Sequence, residues 1–97
     1  MMIRHICMFT LKDEAKHEKI EEFVTRAESL KVIPQLRRYE VVTNDPATPA
    51  SNYDVALIFD FDTVEDLDAY QKSPEHLAFG EFVYTVRKDR ACIDYAF

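Results

Sequence analysis

Three histidines and two cysteines are the side chains of this sequence best placed to do chemistry, and their settings differ. His76 follows Ser73-Pro74, a capping side chain and then a proline at the first helical position, so its ring belongs to the first turn of a helix. There the helix dipole favours a neutral imidazole able to accept a proton. His5 alternates with Cys7 and Phe9 along an apolar run and shares one side of a strand with them. A hydrogen-bonded wall suits it better than a base. His17 falls on the polar side of a helix and is expected in solvent. Cys7 and Cys92 lack the short spacing of a zinc or redox motif. Free, mostly buried thiols are expected over a disulfide.

The elements that must position these residues come from one domain, residues 1–97, since 97 residues leave room for no second core. With 47% apolar, 12% aromatic and 31% charged residues and a single glycine, the chain is neither fibrous nor of low complexity. A formal net charge of −6 disfavours nucleic acid as a partner, because phosphate neutralisation needs Lys and Arg. Arg4 and His5 interrupt what would have to be a signal core, and no apolar run reaches membrane-span length. A cytoplasmic protein with no membrane partner is expected.

Residues 2–11 are an apolar run of strand length closed by Lys12-Asp13-Glu14. From 14 to 32, Ile20, Phe23, Val24, Ala27 and Leu30 recur at helical steps, and Pro34 bars continuation. Residues 36–43 alternate as a strand near a sheet edge, with Tyr39 and Val41 opposed to Arg38 and Glu40. Residues 44–52, dense in turn formers and carrying Pro46 and Pro49, read as a surface loop. Tyr53, Val55, Leu57, Phe59 and Phe61 then share one face of the clearest strand. Asp62 stands where an N-cap would, ahead of a short helix ending near Lys72, and the helix after Ser73 runs towards Val86. Residues 91–97 are the last strand, with Ala91, Ile93, Tyr95 and Phe97 on one face.

This order predicts an α+β fold, a βαββαβ subunit with a four-stranded antiparallel sheet and its helices on one face. The first and last strands are apolar on both sides: Met2, Ile6 and Met8 oppose the His5 face, and Ile93, Tyr95 and Phe97 add to the side the helices leave bare. Two apolar faces need two covers, so a homodimer joined through the open sheet face is expected.

The motif order resembles the stress-responsive dimeric α/β-barrel family, the Dabb proteins. It is carried by Arg4-His5, Leu11-Lys12-Asp13-Glu14, Ile33-Pro34, Tyr53-Asp54, and Tyr70 through Ser73-Pro74-Glu75-His76 to Phe79-Gly80, over nearly the whole chain. The resemblance implies a ferredoxin-like subunit in a dimeric α/β barrel, with a small-molecule cavity between sheet and helices. In one subgroup, plant polyketide cyclases such as olivetolic acid cyclase, the catalytic tyrosine and histidine match Tyr70 and His76. The aspartate orienting that histidine matches Asp94. A base to take a proton beside a carbonyl and a donor to steady the resulting oxyanion fit aldol chemistry without a cofactor.

The resemblance and the strand faces together make His5, Cys7, Phe23, Ala27, Leu57, Phe79, Val83, Arg87 and Cys92 the expected ligand-binding wall. Ala27, Val55 and Arg87 stand where the cyclases have tyrosine, histidine and tryptophan, so the plant substrate is not carried over. The expected function is binding of a small apolar or ketide-like molecule. The alternatives are a cyclase- or lyase-type enzyme using His76 and Tyr70 and, more weakly, a cofactor-free monooxygenase. A metal held by His5, His76 and Asp94 is a minor reading, and no metal or cofactor is assigned.

Overall fold

Two strand-helix-strand halves interleave in a single sheet. The computed structural model describes residues 1–97. It runs β1 (Ile3–Leu11), α1 (Lys16–Ala27), a 3-10 turn (Glu28–Val32), β2 (Arg38–Thr43), β3 (Val55–Phe61), α2 (Val64–Lys72), α3 (Pro74–Val86) and β4 (Arg87–Ala96). The strands lie in the order β2-β3-β1-β4, every neighbouring pair antiparallel. This is the expected α+β, ferredoxin-like subunit, with β2 at one edge.

Register decides which side chains meet. His5 pairs with Phe59 and Asp94, Cys7 with Leu57 and Cys92, and Phe9 with Val55 and Arg90. These residues form the face under the helices, where Phe23 of α1 sits between Phe9 and Phe79, its ring centre 5.3 Å and 5.1 Å from theirs. Phe23, Ala27, Leu30, Phe59, Phe61 and Tyr70 are fully buried there. Two buried carboxylates have structural partners. Asp54 accepts from the Leu11 amide at 2.8 Å and pairs with Lys16 at 3.2 Å, fixing the end of β1. Asp60 takes two bonds from Arg4, at 2.8 and 3.0 Å, on the opposite sheet face.

Several boundaries differ from the sequence reading. The first helix stops being α-helical at Ala27 and tightens into the 3-10 turn, because Ile33, next to Pro34, is driven to extended geometry (φ −71°, ψ 119°). The cap of α2 is Thr63, whose hydroxyl accepts from the Asp66 amide at 3.1 Å; Asp62 instead pairs with Arg37. β4 begins at Arg87, four residues before the alternation starts, since Asp89 pairs with Thr10 and Arg87 with Leu11 around a bulge at Lys88 that breaks the alternation. An edge strand carries charges readily.

The largest correction concerns the cysteines. Cys7 and Cys92 are joined in a disulfide, with Cα atoms 4.2 Å apart. Met2 and Phe97 exchange both backbone bonds, so by alternation Cys7–Cys92 and His5–Asp94 are non-hydrogen-bonded pairs, where facing side chains come closest. Sequence spacing carries no trace of that pairing.

Candidate active site

Between the helix-side face of β1 and β3 and the helices α2 and α3 lies a cavity of about 380 Å³. His5, Cys7, Phe9 and Leu57 form its floor; Tyr70, His76, Phe79 and Val83 form the helical wall. Tyr84, Arg87 and Arg90 also line it, and the exposure of Tyr84 and Arg90 places them at the mouth.

Ser73 organises the wall. It ends α2 and caps α3, donating its hydroxyl to the Tyr70 carbonyl at 2.7 Å and accepting from the His76 amide at 3.2 Å. One small side chain therefore ties the last turn of α2 to the first turn of α3. The Tyr70 and His76 rings sit 4.7 Å apart, edge to face. Phe59 and Phe61 pack on the other sides of Tyr70, with ring centres at 5.8 and 5.0 Å.

Neither polar group of that pair is satisfied. The Tyr70 hydroxyl and His76 Nδ1 are buried and have no hydrogen-bond partner within the chain. Burial pushes the Tyr70 pKa well above its ordinary value, so the hydroxyl stays a donor. The His76 pKa is lowered from 6.5, first by burial and further by His5 and Arg90, while the Gln71 backbone opposes the shift. His76 is thus a neutral imidazole at physiological pH. An unpaired buried polar atom costs about 1–3 kcal/mol. Both atoms belong to residues lining this one cavity.

Asp94 does not orient His76. It lies directly across the β1–β4 ladder from His5, and its Oδ1 is 2.5 Å from His5 Nδ1. The close strand pair, rather than the helix, holds the carboxylate. His5 is itself only 4% exposed and lines the cavity. Its ring centre lies 6.3 Å from that of Tyr70.

Residues 3–97 match the model of the Dabb family, the stress responsive A/B barrel domain. The chain belongs to the Dabb family. Among solved structures, it is similar to a dimeric ferredoxin-like protein of unknown function from Thermobifida fusca, at 32% identity and TM-score 0.88, covering 100% of this chain and 92% of that one. A dimeric protein of unknown function and ferredoxin-like fold from Bacteroides fragilis is 31% identical, with TM-score 0.82 and coverage of 99% and 96%. The hydroxynitrile lyase of Passiflora edulis shares the fold at 21% identity, TM-score 0.83 and coverage of 99% and 93%. No curated protein matches the chain.

Of the wall expected for this Dabb protein, His5, Cys7, Leu57, Phe79, Val83 and Arg87 line the cavity beside Tyr70 and His76. Phe23 and Ala27 do not; both are fully buried core under α1. Cys92 reaches the site only through its bond to Cys7. The trio His5, His76 and Asp94 does not form a metal cluster; the metal-type ligand atoms that come together are those of His5, Cys7 and Cys92. Phe9, Gln71, Gly80, Tyr84 and Arg90 are cavity residues beyond the expected set. Gly80 carried a signal: it is the sole glycine, set inside a helix, and a Cβ there would meet nothing within 4 Å. It widens the cavity where any other residue would narrow it.

Proposed function

We propose that this Dabb protein works as a homodimer, covering its open sheet face with a second copy, and that each cavity holds a small, largely apolar carbonyl compound for acid–base chemistry without a cofactor. The observation that carries this reading is the pair of unpartnered buried atoms, Tyr70 Oη and His76 Nδ1, on one cavity. A carbonyl oxygen accepts from the Tyr70 hydroxyl. The hydrogen on the adjacent carbon is then open to the neutral imidazole of His76, and the enolate formed keeps the tyrosine bond. The cavity volume falls in the range of small-molecule sites, and its floor is mostly apolar. Arg87 and Arg90 favour an anionic group at the outer end of the ligand. Similarity of Tyr70 and His76 to the catalytic pair of the plant cyclases supports the same reading, with the orienting aspartate now on His5.

The test is α-proton exchange. A 2-alkyl-1,3-diketone in deuterated buffer is expected to exchange its α-hydrogen faster with the protein than in buffer alone. His76→Ala should remove at least about 100-fold of the protein-dependent rate, the lower range for a positioned general base. Tyr70→Phe should lower the rate while leaving the fold, read by circular dichroism, intact. An equal rate in the His76→Ala variant would remove His76 from the chemistry.

A further inference from the structure

The disulfide and its neighbours are not used by that acid–base reading. We propose that, once reduced, Cys7 and Cys92 join His5 as a three-ligand site for a zinc-type divalent ion in the cavity floor. A ring nitrogen of His5 and the two Sγ atoms lie within 4.8 Å of one another. All three project from adjacent non-hydrogen-bonded positions of one ladder, so the sheet itself holds them together. Two thiolates and an imidazole are a borderline-soft set that suits zinc and rejects magnesium or calcium.

Asp94 supplies the supporting contact such a site needs. Its carboxylate already engages His5 Nδ1, which fixes the ring and leaves the other nitrogen to ligate. Three protein ligands leave a fourth position of the tetrahedron open. Because His5 and Cys7 line the cavity, that position opens on it. The sulfurs need only separate to about 3.7 Å to share a metal at about 2.3 Å each. Reduction by a dithiol breaks the Sγ–Sγ bond, passes two electrons and two protons to the cysteines, and leaves the reductant as its disulfide. Metal binding then releases both thiol protons. The disulfide form is the metal-free state.

The experiment titrates the full chain, reduced with a phosphine, with Co²⁺ as a surrogate for zinc. Reduced wild type should take up one equivalent, with thiolate-to-cobalt absorption and tetrahedral bands that Zn²⁺ bleaches. The unreduced protein should show neither. Cys92→Ser, a change at an exposed position that spares the core, should lose about half the thiolate absorption, one of two thiolate ligands being gone. Asp94→Asn should keep the spectrum while weakening affinity about 10- to 100-fold. Absence of thiolate absorption in reduced wild type, or its full retention in Cys92→Ser, would overturn the site. So would equal cobalt binding by the Cys7→Ser/Cys92→Ser double variant, which would mean an adventitious ion only. None of these readouts depends on turnover, so failure here leaves the His76 chemistry standing.

Discussion

At the scale of single residues, His76 is the group whose behaviour follows most directly from its surroundings. Burial, His5 and Arg90 hold its pKa below 6.5. A histidine with a depressed folded pKa takes up its proton more readily when unfolded. Its contribution to stability is therefore complete above pH 6.5 and is lost as pH falls through the lower folded value. Histidine NMR should give His76 a midpoint below 6.5. Urea midpoints should drop more steeply on acidification in wild type than in His76→Gln; a midpoint at or above 6.5 would contradict the buried, neutral ring. The position of this ring was legible in the sequence, because Ser73-Pro74 fixes the start of a helix whatever lies around it. The partner of Asp94 was not. It depends on which strand residue stands opposite, and cross-strand register has no local signature.

At the scale of elements, the proposed chemistry and stability meet at the junction of α2 and α3. Ser73 both caps α3 and binds the last turn of α2, so it sets Tyr70 against His76. Loss of an N-cap hydroxyl costs about 0.5–2 kcal/mol. Ser73→Ala should fall in that range by urea denaturation and should also slow diketone exchange. Thr63→Ala removes the same kind of cap from α2, roughly two turns from Tyr70. It should cost similar stability while leaving exchange near wild type. Equal exchange in both variants would reduce Ser73 to an ordinary cap. Strand and helix order were readable because apolar periodicity survives in short windows. The start of β4 was not, since Asp89 and Arg87 pair with Thr10 and Leu11 around an unpaired Lys88, and that bulge interrupts the alternation a strand is read from.

At the scale of the molecule, the open sheet face sets the expected assembly. Ile93, Ile6 and Ile58 form a row across three strands, and Ala91, Met8, Ala56 and Val42 form the next. Ile93 is 61% exposed and Val42 40%, and no helix lies over them. On the same face Arg4 and Asp60 satisfy each other, Arg4 rests on the Phe97 ring, and Arg38 pairs with Glu40 opposite Ile58, so these charges meet the interface as ion pairs. A contiguous apolar patch of this kind favours association over exposure. In a two-fold dimer one substitution acts twice. Ile58→Arg places two bulky guanidinium groups in the interface, where Glu40 across the strand pair is already engaged by Arg38, and should weaken the dimer at least about 100-fold. Sedimentation equilibrium at micromolar concentration should show a dimer for wild type and a monomer for the variant. Its circular dichroism should be unchanged, because Ile58 points away from the helices and their core. A wild-type chain that sediments as a monomer would leave these rows without a cover and remove the dimer from the proposal.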